Sequence, residues 1–167
     1  MKIATIRTND EIINAWREQV NKVAPSETET VLLDEQKNAQ SFIETLISLE
    51  DDVVYTLPVH AVHSLGFIES LKDHDFVGFK QSGNPQVGVD FFAATNTGLR
   101  KIRDYMKNQY QWDDKSSVDA NMNNIILGAL GEKAMIVLDN QKFIVERGFR
   151  TKGAGQLATN CGGSDIL

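Results

Sequence analysis

Val53-Val54-Tyr55-Thr56-Leu57 is a short apolar run entered from two carboxylates, Asp51 and Asp52, and stopped by Pro58. Such a run reads as a buried central strand of an α/β sheet whose carboxyl end opens onto a loop. Ligands of open α/β sheets sit at strand ends of this kind. One run thus predicts a fold class and a place to look for chemistry.

The flanking sequence extends the prediction. Ile3–Ile6, Thr30–Leu33, Phe76–Phe79 and Val87–Ala94 are further strand-like runs. Between them apolar residues recur at helical spacing: Ile12, Ile13, Trp16, Val20 and Val23; Ala39, Phe42, Ile43, Leu46 and Ile47; Leu99, Ile102, Tyr105 and Met106; Val118, Met122, Ile125, Ile126 and Leu130. Thr8-Asn9-Asp10-Glu11 and Ser116-Ser117-Val118-Asp119 are capping-box patterns, and Ser64 suits the start of a short helix. Gln81–Gln86 is a loop signal. Ala134–Leu138 and Phe143–Val145 flank a polar turn and predict a C-terminal hairpin. Strands alternating with helices predict an α/β fold, a mainly parallel sheet with helices on both faces. Residues 1–147 are read as a single α/β domain and 148–167 as a Gly-rich C-terminal tail.

Bulk properties bound the function. A chain of 167 residues, 41% hydrophobic and 24% charged, has the composition of a folded domain with a real core. The net charge of −6 argues against sequence-independent binding to nucleic acid, which needs a basic face. Cys161 is the one cysteine, so no disulfide forms within the chain and a reducing compartment is expected. No apolar run approaches the roughly 20 residues that span a bilayer, and Met1–Arg7 turns polar too early for a signal peptide. The expectation is a cytoplasmic protein with no membrane contact.

Several residues are candidates for chemistry. His60 and His63 follow the central strand and, with a third partner, would be metal ligands. The plainer reading is a loop contact and a helix-start hydrogen bond. Asp73-His74-Asp75 is an Asp-x-Asp triplet of the kind that holds Mg²⁺ or Mn²⁺ against a diphosphate, and also of the kind that turns a chain. Asp90 is a carboxylate inside an apolar strand, where a charge needs a partner or a function. Asn96-Thr97-Gly98 fits a helix start, which can also receive an anion. Asp119, Asn121, Asn123 and Asn124 crowd another helix start, although asparagine is a poor helix former. Arg147, Arg150 and Lys152 precede Gly153-Ala154-Gly155, a combination able to wrap a diphosphate. Neither a P-loop nor a Gly-x-Gly-x-x-Gly turn nor a Gly-x-Ser-x-Gly elbow is present.

The order Asp52-Val53-Val54-Tyr55, short helix, Asp75-Phe76-Val77-Gly78 resembles the middle of nucleotide-sugar-dependent glycosyltransferases of the GT-A type. Val89–Gly98 is similar to that family's next strand and helix, and Asp119–Asn124 to its "DQ..lN" helix. The likeness spans roughly residues 1–146. It implies a GT-A/Rossmann-like fold and transfer of a sugar from a nucleotide-diphosphate sugar, with Mn or Mg as cofactor. It implies Asp90 and Asp119 as catalytic residues, with His60, Asn96, Asn121, Arg147, Arg150 and Lys152 binding substrate. Where the family carries its metal-binding Asp-x-Asp, this chain has Leu57-Pro58-Val59. The alternative is a non-catalytic α/β binding or interaction protein with a protein partner, which the acidic charge and the missing Asp-x-Asp also suit.

Overall fold

The computed structural model describes residues 1–80, 87–137 and the backbone of 144–146. In chain order the elements are β1 (Lys2–Ile6), α1 (Asp10–Val23), β2 (Glu29–Leu33), α2 (Ala39–Ile47), β3 (Val53–Thr56), β4 (His60–Val62), a 3-10 helix (Gly66–Lys72), β5 (Phe76–Lys80), β6 (Val87–Ala94), α3 (Asn96–Asn108), α4 (Val118–Leu130), a 3-10 turn (Gly131–Lys133), β7 (Ala134–Val137) and β8 (Ile144–Glu146).

Local chemistry starts each long helix. Asn9 accepts from the Ile12 N–H, Thr95 from that of Gly98 and Ser117 from that of Ala120. Asn38 and Ser41 form a reciprocal capping box on α2. Each cap satisfies a backbone donor that the helix itself leaves orphaned. Gly98 is needed for close approach: a Cβ there would lie 2.5 Å from the backbone oxygen of Asp75. The start of α3 therefore presses directly on the start of β5.

Six strands form one sheet in the order β2-β1-β3-β6-β5-β7, and β4 and β8 pair in a second, two-stranded sheet. The larger sheet is mixed rather than mainly parallel. β1 runs parallel to β2 and β3, and β5 to β7, but β6 is antiparallel to both β3 and β5. The reason lies in the connection. Only residues 81–86 separate β5 from β6, and a parallel return needs a crossover of a dozen or more. The predicted C-terminal hairpin is also corrected. β7 pairs with β5 and β8 with β4, so the two strands belong to different sheets. A polar turn between strands signals a bend and says nothing about which open edge each strand will find.

Helices cover both faces, as the sequence predicts. On one side α2, α3 and α4 bury Phe42, Leu46, Leu99, Ile102, Met106, Met122 and Ile125 against Ala4, Val53, Tyr55, Phe76, Phe92 and Ala94. On the other, Trp16 and Val20 of α1 and Phe67 of the 3-10 helix cover Ile3, Val54, Val77, Phe79, Phe91 and Ala93. Aromatic stacks fix each layer: Phe76 on Phe92 at 5.2 Å, and Phe79 on Phe91 at 4.4 Å. Burying side chains of this size stabilises the fold by roughly 1.5–3 kcal/mol each.

Candidate functional site

The carboxyl edge of the sheet is where β1, β2, β3, β5 and β7 all end and where the reversed strand β6 begins. β3 stops at Thr56, in register with Phe91, and the Leu57 N–H donates to the Asp90 carbonyl at 3.0 Å. Asp90 thus stands at the rim, beside the position where the chain has Leu57-Pro58-Val59. A register shift between Gly78 and Lys80 interrupts the pairing of β5 with β6. Past it the strict alternation of faces is lost, and Val87 and Val89 both join the layer covered by α2, α3 and α4.

Two side chains of α4 hold this rim from that layer. Asp119 Oδ1 accepts the Val89 N–H at 3.3 Å, and Asn123 Oδ1 accepts the Val87 N–H at 3.4 Å. Asp90 as a residue is half-buried, but its Oδ1 is sealed from solvent and has no hydrogen-bond partner among the described residues. Burial first, and then the neighbouring Asp119 carboxylate, push the Asp90 carboxyl up to about 7. Burial raises Asp119 too, opposed by the hydrogen bond it receives from Val89. The chemical result is a pair of carboxyl groups, one of them pushed by burial toward neutrality, which suits it to take or give a proton.

The other sequence candidates do not converge on this pair. His60 is buried at the start of β4, its ring edge-on to Phe91 at 6.5 Å, in the layer opposite to α4. His63 is exposed. Asp75 lies at the amino edge, at the start of β5, where it pairs with Lys101 at 3.0 Å and accepts from the Thr95 hydroxyl at 3.2 Å. Asp73 is exposed, and its carbonyl accepts from Lys133 Nζ at 3.4 Å. The Asp-x-Asp triplet thus lies at the far edge, tied into the fold by these bonds. Asn96 also sits at the amino edge, donating to the Ile47 carbonyl at 3.0 Å and accepting from Arg100 Nε at 2.8 Å. Asn121 is fully buried, and its amide ties Tyr110 and the 113–117 segment to α4. Arg147, Arg150 and Lys152, with the Gly-rich tail, lie outside the described residues.

Among the described residues no group of three or more His, Cys, Asp or Glu side chains is placed to hold a metal ion. Sequence reasoning also passed over charges at the same edge. Arg7 follows β1 and pairs with Asp34, which follows β2, at 3.3 Å; Lys80 closes β5. The signal was available, since each is the polar residue at the end of a predicted parallel strand.

The comparisons with known proteins address the fold. No protein-family model matches the chain, and no curated protein matches it. Among solved structures it resembles A197 from STIV, with a TM-score of 0.53, 8% identity, and coverage of 90% of this chain and 96% of that one. It also resembles 4-diphosphocytidyl-2C-methyl-D-erythritol synthase from Anaerococcus prevotii DSM 20548, with a TM-score of 0.50, 12% identity, and coverage of 95% and 76%. These likenesses establish a shared α/β, Rossmann-like fold. Among the described residues no helix is long and apolar enough to cross a membrane.

Proposed function

We propose that this protein is a small glycosyltransferase-like enzyme that binds a nucleotide-diphosphate sugar at the carboxyl edge of its sheet. The observation that carries the reading is Asp90, a rim carboxyl whose sealed oxygen has no partner among the described residues and whose pKa burial pushes up to about 7. In the proposed reaction the oxygen of an acceptor hydroxyl forms a bond to the anomeric carbon of the donor. The bond from that carbon to the diphosphate breaks, and the nucleoside diphosphate leaves with the electron pair. Asp90, in its ionised form, takes the hydroxyl proton, and a base is most effective when its pKa lies near the working pH. Asp119 supports Asp90, and Arg147, Arg150 and Lys152 supply positive charge toward the diphosphate. The A. prevotii enzyme named above makes a product that carries a diphosphocytidyl group. A nucleoside diphosphate is the ligand class we extend from it to this chain.

A thermal-shift series with UDP-, CDP-, GDP- and ADP-sugars, each with and without Mn²⁺, tests the reading. A true donor at a hundred times its Kd should stabilise the protein by about 2.7 kcal/mol. Asp90→Asn should keep that shift and lose sugar transfer. If no nucleotide sugar moves the melting temperature in either condition, the enzymatic reading falls.

A further inference from the structure

We infer that Asp119 is a positioning residue for Asp90, holding the β6 backbone beside it in concert with Asn123 and setting a second carboxyl group against its own. The inference gains a catalytic meaning only if Asp90 is the base proposed above, but its geometry stands without that reading.

The two hydrogen bonds are matched in spacing. Two residues along a strand advance roughly 6.6 Å, and four along a helix roughly 6 Å. Asp119 and Asn123, four apart on α4, can therefore meet the N–H groups of Val89 and Val87, two apart on β6. The order is crossed, the earlier helix residue meeting the later strand residue, so α4 lies antiparallel to the rim of β6. One neutral and one acidic acceptor receive equivalent donors. The acidic one is the one next to Asp90. Its position in the first turn of α4 and the Val89 N–H both work against the effect of its burial, and its carboxylate form is the charge that raises Asp90.

Among the described residues, the other groups around Asp90 do not duplicate this role. β3 presents the Leu57 N–H to the Asp90 carbonyl. β5 brings Lys80, in register with Val87. His60 packs on Phe91 in the opposite layer. Asn123 carries no charge.

NMR of the full-length protein with labelled aspartate, titrated from pH 4 to 9, together with amide exchange, tests the inference. Asp119→Asn keeps an acceptor oxygen and removes the charge. The Asp90 midpoint should fall by about one unit, with Val89 protection retained. Asp119→Ala removes both, and Val89 exchange should accelerate roughly tenfold or more. Asn123→Ala should expose the Val87 amide and leave the Asp90 midpoint in place. An unmoved Asp90 midpoint in Asp119→Asn overturns the inference. So does unchanged Val89 exchange in Asp119→Ala, and if that variant does not fold, Asp119→Asn decides alone. None of these readouts involves sugar transfer, so the failure of the proposed activity would remain distinguishable.

Discussion

Asp90 puts an ionisable group where desolvation outweighs every other influence on it. Its folded pKa, about 7, lies above the ordinary value of 3.8. A folded state that holds a proton more tightly than the unfolded chain is favoured most at low pH. That contribution is complete below about pH 4 and is lost as pH rises through about 7. Asp90→Asn cannot ionise and should remove the slope. Urea unfolding from pH 4 to 8 should give the two proteins similar stability at the acid end, the wild type falling away as pH rises toward 7. Above pH 7 the variant should be the more stable by on the order of a few kcal/mol. Parallel curves across the whole range would show that the carboxyl is not buried as described. A carboxylate in an apolar strand was legible from sequence because burial of charge is unusual enough to stand out. The roles of Asn96 and Asn121 were not, since an amide looks the same whether it faces a ligand or distant backbone.

At the scale of elements, helices and strands were legible where the apolar period was strong, and α1, α2, α3 and α4 bury the residues that the spacing marks except Val23 and Tyr105, which are half-buried. What the period leaves open is direction and partner. β6 has the same pattern whichever way it runs, so its reversal had to be read from the short 81–86 connection. β4 is three residues long and pairs with a strand some eighty positions away, leaving no local trace. The α3–α4 connection shows how much a single buried amide can organise. Asn121 accepts from the Tyr110 hydroxyl at 2.7 Å and the Asp113 N–H at 3.0 Å, and donates to the carbonyls of Asp113 and Ser117, each at 3.0 Å. Asn121→Ala would strand several of these groups out of reach of water. The expected cost is about 2–4 kcal/mol, measured as a lower urea midpoint. Any nucleotide-sugar shift should persist in the fraction that remains folded. Loss of ligand binding with unchanged stability would instead assign Asn121 to the site.

For the whole molecule, the two edges of the sheet carry separate kinds of polar chemistry. At the amino edge Asp75, Lys101, Thr95 and Asn96 bond one another or the nearby backbone, joining the start of α3 to the start of β5. At the carboxyl edge Asp90 retains an oxygen with no partner among the described residues. β5 is five residues long, so the edges are separated by roughly 15 Å at ~3.3 Å per residue. That exceeds the Debye length of about 8 Å at physiological ionic strength. Charge at one edge should therefore be nearly silent at the other. Asp75→Asn breaks the ion pair with Lys101, whose side chain is 48% exposed, and should cost no more than about 1 kcal/mol. The Asp90 midpoint and any nucleotide-sugar shift should both be unchanged. The same experiment separates two readings of the Asp-x-Asp triplet. If Asp75→Asn abolished Mn²⁺-dependent binding of a nucleotide sugar, the site would lie at the amino edge, and the rule that ligands gather at strand carboxyl ends would have failed for this fold. Retention of binding, with a small loss of stability, is the outcome that the hydrogen bonds of Asp75 require.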